Sequence, residues 1–216
     1  MCLSSRFIVL VPEGESIEAS SPMPNPIPKL DAPGAGLPFF EMLLQKTIIF
    51  PMLCKITTFD SAIRIFEKES KLLLREVALI PAPLRDKRIL VPRLPAIEDS
   101  SRFWSAAMVL EHLIIVGGSI KIVAQHLVRG ETPPGVADVA AVKPPGDLAG
   151  SDCLDQYKIF SDDFLKAIRS MRGDQWATAT FDHPWFGPLT VHKWICLAAI
   201  HQRIHRRQIE AIIRLL

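Results

Sequence analysis

The sequence predicts an all-α protein, a four-helix bundle with a long crossover between its second and third helices. Four long segments repeat apolar residues at the i, i+3, i+4 spacing of an amphipathic helix. No segment shows convincing period-two alternation of β-branched residues, which argues against a sheet. Residues 129–152 contain two Pro-Pro-Gly motifs and are long enough to span the bundle. Such a connection favours parallel second and third helices, in up-down-down-up order.

Composition narrows the class of protein. The 216 residues are 49% hydrophobic and 22% charged, with a net charge of +2, which is typical of a globular protein without a nucleic-acid footprint. Four scattered cysteines form no C-x-x-C pair and suit a reducing cytoplasm. Residues 37–54 are apolar but interrupted by charged residues and Pro51, so they predict no transmembrane helix. We therefore expect a cytoplasmic protein that binds neither nucleic acid nor membrane.

The chain divides into two predicted regions. Residues 1–55 form a Pro-rich, largely irregular N-terminal extension, since residues 11–38 contain seven prolines and cannot bury much apolar surface. A short helix is predicted within it at residues 39–50. Residues 56–216 form the bundle domain.

Capping residues set the expected bounds of the four bundle helices. The helices are predicted at about residues 57–77, 99–128, 154–172 and 190–214. The second helix would begin at Asp99-Ser100-Ser101 and contains Gly117-Gly118 near its centre. Glycine is unfavourable within a helix, so we expect either close approach of a neighbouring helix or a kink there.

His201 and His205 are the most informative residues in the sequence. Their i, i+4 spacing places both imidazoles on one face of the fourth helix, beside the apolar residues Trp194, Ala198 and Ile212. Buried imidazoles need a partner for each ring nitrogen, and a divalent metal ion is one such partner. Alternatively, both histidines lie at the edge of the apolar face and contact water.

His112 lies near the middle of the predicted second helix, on its apolar face, at a depth that matches the His201/His205 pair. Together the three predict a three-histidine metal site with positions open for water or substrate. Nitrogen ligands suit Zn, Ni, Fe or Cu. His126 and His192 are expected outside the site. His183 lies in a loop that could form a rim or lid over the bundle, or a rigid apolar plug.

Neighbouring polar residues do not identify a catalytic group. Gln202 stands where a zinc protease helix of the H-E-x-x-H type carries its glutamate base. Glu111 is either exposed or in contact with a ligand, and Gln208 could orient an imidazole through a hydrogen bond. Catalytic residues are therefore unknown from the sequence.

The chain resembles the DinB-like superfamily. The resemblance is carried by Phe103–Leu113 (FWSAAMVLEHL), His183–Thr190 (HPWFGPLT) and His201–Gln208 (HQRIHRRQ), and it extends from about residue 56 to the end. It implies an up-down-down-up four-helix bundle, with His112, His201 and His205 as ligands of a divalent metal ion, Zn or Ni in first place and Fe or Cu as alternatives. Some members of that superfamily transfer low-molecular-weight thiols to electrophiles, and some are homodimers.

Three functions remain open at this point. The first is a metal-dependent thiol transferase acting on a small-molecule substrate. The second is a metal-dependent hydrolase, which the lack of a positioned glutamate disfavours. The third is a non-catalytic, metal-stabilised bundle that binds a partner or acts in a stress response, with the Pro-rich arm as its recognition element.

Overall fold

The computed structural model describes residues 28–216, so the predicted Pro-rich arm up to residue 27 lies outside the described residues. The helices are α1 (Phe39–Leu44), α2 (Phe50–Ile56), α3 (Phe59–Ala78), α4 (Ala106–Val128), α5 (Cys153–Ser170) and α6 (Val191–Leu215). Two antiparallel ribbons pair β1 (Ile89–Leu90) with β2 (Phe103–Trp104) and β3 (Phe181–His183) with β4 (Gly187–Leu189).

Helices α3 to α6 form the predicted four-helix bundle. Two clusters of buried side chains fill it, one towards each end. The first cluster combines the N-terminal halves of α3 and α6 with the C-terminal halves of α4 and α5, and the second combines the opposite halves. Helices α3 and α6 therefore run in one direction and α4 and α5 in the other. The up-down-down-up order is confirmed.

Helix α4 begins later than the sequence predicted. Residues Asp99–Ser101 form a single 3₁₀ turn, and Trp104 lies in the β2 strand. The cap is Ser105, whose side chain accepts a hydrogen bond from the backbone N–H of Met108 at 3.1 Å. Several residues here can cap a helix, and strand pairing with β1 decided among them. As a consequence, His112 lies in the second turn of α4 and not near its middle.

The two glycines of α4 have different surroundings. A Cβ on Gly117 would collide with the ring of Phe160 on α5, whereas a Cβ on Gly118 would meet nothing within 4 Å. The predicted close approach of a neighbouring helix is thus real at Gly117 and does not extend to Gly118.

Residues 129–152 run from the end of α4 back along the bundle to the start of α5, as the predicted crossover requires. Near its end, this crossover is held by the buried carboxylate of Glu111. That carboxylate accepts hydrogen bonds from the backbone N–H groups of Gly146, Asp147 and Leu148, at 2.8, 3.1 and 3.2 Å. Glu111 therefore anchors the crossover against α4.

By length and composition alone, α4 is apolar enough to cross a membrane, with a mean hydropathy of 1.8. In the structure it contacts α5 and α6, and 61% of its apolar window is buried. A core helix of a bundle has the same apolar composition.

Helical structure in the extension reaches further than predicted. A π-helical turn (Gln45–Ile49) joins α1 to α2, so residues 39–56 form one helical segment in place of the short helix expected at 39–50. Phe50 and Cys54 of this segment are buried, and they pack in a core cluster with residues of the bundle. The opposite side carries an exposed apolar stripe at i, i+4 spacing. The residues of the stripe are Phe40, Leu44, Ile48, Met52 and Ile56.

Arg206 of α6 is partly buried. Its guanidinium on α6 forms an ion pair with Glu69 of α3 at 2.6 Å, and it also contacts Glu76 and Glu210. The Glu69 side chain is only 3% exposed. This cluster of charged side chains joins the two parallel helices α3 and α6. The sequence of α6 alone does not show which residues of α3 it contacts.

Candidate metal centre

The structure brings His112 of α4 together with His201 and His205 of α6. The Nε2 atom of His201 lies 3.2 Å from Nε2 of His112 and 3.1 Å from Nε2 of His205. His112 and His205 are buried, and His201 is half-buried. One donor atom from each ring lies within 4.8 Å of the others, so the group could hold a metal ion.

Two of the three rings have their orientation and tautomer set by carbonyl oxygens. The Nδ1–H group of His112 donates to the backbone carbonyl of Val142 at 2.8 Å. The Nδ1–H group of His205 donates to Oε1 of Gln208, also at 2.8 Å. A carbonyl can only accept, so the ring proton of each neutral imidazole is on Nδ1. The Nε2 atoms of both rings therefore carry lone pairs directed at His201.

These lone pairs provide a test of whether the residues fit a metal ion. His201 Nε2 can carry at most one proton, whereas two neighbouring Nε2 atoms require a donor from it. In at least one of the two Nε2–Nε2 contacts, therefore, two lone pairs face each other at about hydrogen-bond distance with no proton between them, unless a cation is bound. Zinc at about 2.0–2.1 Å from each nitrogen in tetrahedral geometry places the nitrogens about 3.3 Å apart. The distances of 3.2 and 3.1 Å from His201 to the other two imidazoles are close to that value.

Burial keeps the three imidazoles neutral at pH 7. It lowers the pKa of His112 and His201 well below the ordinary value and that of His205 to about 4. Repulsion between the clustered imidazoles lowers the pKa of His112 and His201 further. A metal ion competes with protons for the lone pairs of histidine, so this environment favours metal binding near neutral pH.

A cavity of about 140 Å³ adjoins the three imidazoles, and we call it the metal cavity. Its walls are mostly apolar and come from the bundle, the crossover, the β3–β4 hairpin, the connection before α4 and the segment around residues 37–45. Lys143 is its one cationic side chain among the described lining residues, and it forms an ion pair with Glu98 and a hydrogen bond to Ser101 at 2.7 Å. The indole of Trp104 stacks on His205, with ring centroids 6.0 Å apart.

The other histidines divide into one at the cavity and two outside it. His183 lies at the end of β3 and lines the metal cavity. Its Nδ1 accepts the backbone N–H of Trp185 at 3.1 Å, and burial lowers its pKa to about 4. The hairpin thus forms one wall of the cavity, in agreement with the predicted rim. His192 contacts the carbonyl of Thr57 and His126 contacts Glu131, so neither joins the cluster.

Several residues of the site were not predicted from the sequence. Val142 and Lys143 come from the crossover, and Trp104 and Glu98 come from the connection before α4. Val142 contributes only its backbone carbonyl, for which no residue type gives a signal. Gln208 was the exception, because a polar residue three positions after His205 on a buried helix face is a candidate hydrogen-bond partner.

Fold and site together define a class, the four-helix bundles with a three-histidine cluster between two of their helices. Residues 70–209 match the family model of the DinB superfamily. The chain therefore belongs to the DinB superfamily. Among solved structures, it is similar to TT2238, described as a four-helix bundle protein, with 25% identity and a TM-score of 0.46, covering 71% of this chain and 98% of that one. No curated protein matches the chain.

Proposed function

We propose that the protein is a metal-dependent enzyme that transfers a low-molecular-weight thiol to an electrophilic small molecule. His112, His201 and His205 would hold a divalent ion, with Zn²⁺ or Ni²⁺ as our first choice and iron or copper as alternatives. The observation that carries this proposal is the convergence of three Nε2 atoms beside a cavity. Three protein ligands leave a coordination position open, as in catalytic rather than structural sites.

When bound, the metal would supply Lewis acidity and lower the pKa of a coordinated thiol, which makes the nucleophilic thiolate available. The chain's own residues have supporting roles. The Val142 carbonyl and Gln208 hold the imidazoles in position. Trp185 and Phe186 supply an apolar wall of the cavity, which would limit the access of water to a bound thiol.

A thiol substrate fits this site better than hydrolysis of a bound substrate. Hydrolysis of the metalloprotease type uses a carboxylate as general base. Among the described residues that line the metal cavity, Glu98 is the one carboxylate, and Lys143 and two backbone N–H groups engage it. Glu111, next to His112, binds the crossover instead. A thiolate is itself the nucleophile and does not depend on such a base.

The first experiment measures metal content and thiol chemistry together. Purified wild-type protein should contain about one equivalent of metal and consume an electrophile such as 1-chloro-2,4-dinitrobenzene only when a thiol is added. His205→Ala should lose both properties, and His126→Ala, outside the cluster, should keep both. Metal-loaded wild-type protein that shows no thiol-dependent turnover with a panel of thiols and electrophiles would argue against the transferase. Thiol-independent turnover would favour a hydrolase.

We also propose a cytoplasmic location, since a reducing compartment keeps a thiol substrate reduced. The free and buried thiols of Cys54, Cys153 and Cys196 are consistent with it.

A second role, self-association, is favoured by the exposed apolar stripe on residues 39–56. Phe40 is 82% exposed and Ile48 is 57% exposed with respect to the described chain. The adjoining Phe39 and Leu43 are exposed as well, so this segment presents a contiguous set of exposed apolar side chains, as a surface that associates with a partner does. We propose a second copy of the chain as the partner, because an i, i+4 apolar stripe can pack against its own copy about a two-fold axis.

Light scattering of the full chain tests this role. The wild-type protein should be a dimer at micromolar concentration and Ile48→Glu a monomer. Ile159→Glu, at a 63% exposed position on α5, is the matched control and should remain a dimer. A monomeric wild-type protein, or a dimer that persists in Ile48→Glu, contradicts the proposal.

A further inference from the structure

Beside the metal cavity, an apolar groove of about 410 Å³ extends along α4, and we call it the outer groove. It lies between α4 and the first half of the crossover, around residues 133–142. The two spaces share four lining residues. These are Val116, Val139, Val142 and His183. The outer groove therefore adjoins the space in front of the three imidazoles.

On one side, the wall of the groove is a face of α4, and its residues have the spacing of a helix face that packs in a core. Ile115, Ser119 and Ile122 recur at i, i+4, i+7 positions, which place them on one face of the helix. In the structure, Ile122 is 47% exposed and all three residues line the groove. Across the groove, the crossover contributes Val136, which is 88% exposed. Two apolar walls thus face each other with no described side chain between them.

Charge is scarce in the groove. Among its described lining residues, Asp138 is the one Asp, Glu, Lys or Arg, and its carboxylate already accepts the backbone N–H of Ala140 at 2.8 Å. In the metal cavity, Lys143 and Glu98 neutralise each other. A charged group in the outer groove would lose its hydration without finding an opposite charge. An apolar ligand would instead cover apolar walls that water now contacts.

The size of the two spaces agrees with a small molecule. The metal cavity and the outer groove measure about 140 and 410 Å³. Ligand sites in proteins typically measure roughly 300–1,000 Å³ and are lined mostly by apolar side chains. The metal cavity alone is too small for that range, and the adjoining outer groove offers a substrate of ordinary size the additional apolar volume.

We infer that the substrate at the three-histidine site has an uncharged, apolar body that lies in the outer groove along α4. Its reactive head lies in the metal cavity. This inference rests on the proposed function for the head, but the groove also has walls, such as Ile122 and Val136, that do not line the metal cavity. His183, which lines both spaces, marks the junction between head and body.

Straight-chain alkanethiols from ethanethiol to hexanethiol test the inference by binding and not by turnover. Their affinity for the Co²⁺-loaded protein can be followed through the thiolate-to-cobalt absorption band. Each methylene that enters an apolar groove should increase the affinity about fourfold, from a transfer free energy of about 0.8 kcal/mol per methylene. Equal affinities along the series, with ethanethiol binding normally, would overturn the inference.

A blocking variant locates the effect. Ser119→Trp places an indole in the outer groove from an exposed position, where a folding defect is not expected. It should remove the dependence on chain length and leave the affinity for ethanethiol unchanged. Ser170→Trp, exposed at the end of α5 and outside both spaces, should keep the full dependence. A chain-length dependence that survives in Ser119→Trp would show that the chain binds elsewhere.

A metal-free measurement separates failure of this inference from failure of the proposed function. Hexanol has the chain but no thiol, and its binding should raise the melting temperature of the metal-free wild-type protein more than that of Ser119→Trp. If cobalt does not bind but hexanol gives this difference, the metal proposal fails and the groove stands. If hexanol stabilises both proteins equally, the groove proposal fails whatever the metal result.

Discussion

Gln208 links His205 to Ser101, in the segment that precedes α4, through two hydrogen bonds. Its Oε1 atom accepts the Nδ1–H group of His205 at 2.8 Å, and its side-chain amide donates to the carbonyl of Ser101 at 2.7 Å. The second contact decides which end of the amide faces the imidazole, since only the NH₂ group can donate to a carbonyl. Gln208 is completely buried, so neither contact is replaced by water.

Replacing Gln208 by methionine should weaken metal binding. The methionine side chain has a similar size but cannot accept the proton of Nδ1, so the His205 ring loses its fixed tautomer and orientation. Loss of such a hydrogen bond typically costs about 10- to 100-fold in metal affinity. Competition with a chromophoric chelator measures the change. Gln156→Met, at an exposed position on α5, should bind metal as the wild type does.

Glu98→Gln should release the segment before α1 from the bundle. The Glu98 carboxylate accepts the backbone N–H groups of Gly34 and Gly36, at 3.3 and 2.8 Å, and pairs with Lys143. Burial raises its pKa, but Lys143 and these N–H groups outweigh burial, so the pKa lies below the ordinary value. The neutral variant leaves Lys143 without an opposite charge in a partly buried place.

Hydrogen exchange at Gly34 and Gly36 provides the measurement for Glu98→Gln, and we expect faster exchange at both amides. Glu67→Gln serves as the control, because Glu67 lies on α3 and pairs with Lys71 and Arg169. Unchanged exchange at both glycines in Glu98→Gln would show that other contacts hold this segment.

Alanine substitutions at the paired glycines of α4 should have opposite effects on stability. Gly118→Ala meets open space and should stabilise the protein by about 0.5–1 kcal/mol through helix propensity. Gly117→Ala forces the Phe160 ring out of its place and should destabilise by about 1–3 kcal/mol. Urea denaturation measures both changes. Stabilisation by Gly117→Ala would mean that α4 and α5 can move apart without cost.

A buried polar network between helices supplies the fourth prediction. The hydroxyl of Tyr157 on α5 donates to Oε1 of Gln202 on α6, and it lies 3.2 Å from Oγ of Ser70 on α3. Tyr157→Phe leaves the amide oxygen of Gln202 without that donor in the core, which should cost about 1–3 kcal/mol of unfolding free energy.

The double variant Tyr157→Phe, Gln202→Leu is the control for this network. It removes both polar partners, so its loss of stability should be smaller than the sum of the two single losses. Additive losses by urea denaturation would show that the two side chains are not coupled.

The bundle was predictable from the sequence because its signals are local. The apolar spacing of α3, α5 and α6 acts within a few turns of chain, and the structure confirms it. The crossover was predictable from its length, which has to match that of a helix. The predicted start of α4 was wrong, because the pairing of β2 with β1 determines where the helix begins. That pairing is a contact between residues distant in sequence.

The sequence by itself determined that two imidazoles share one face of α6, since helix geometry places residues i and i+4 together. Only the tertiary structure decided that His112 meets them, because the packing of α4 against α6 sets that distance. The tertiary structure also places the Val142 carbonyl and Lys143 at the site, because the crossover passes beside it. The physical reason is that backbone groups and ion pairs act across long sequence separations, where no local pattern records them.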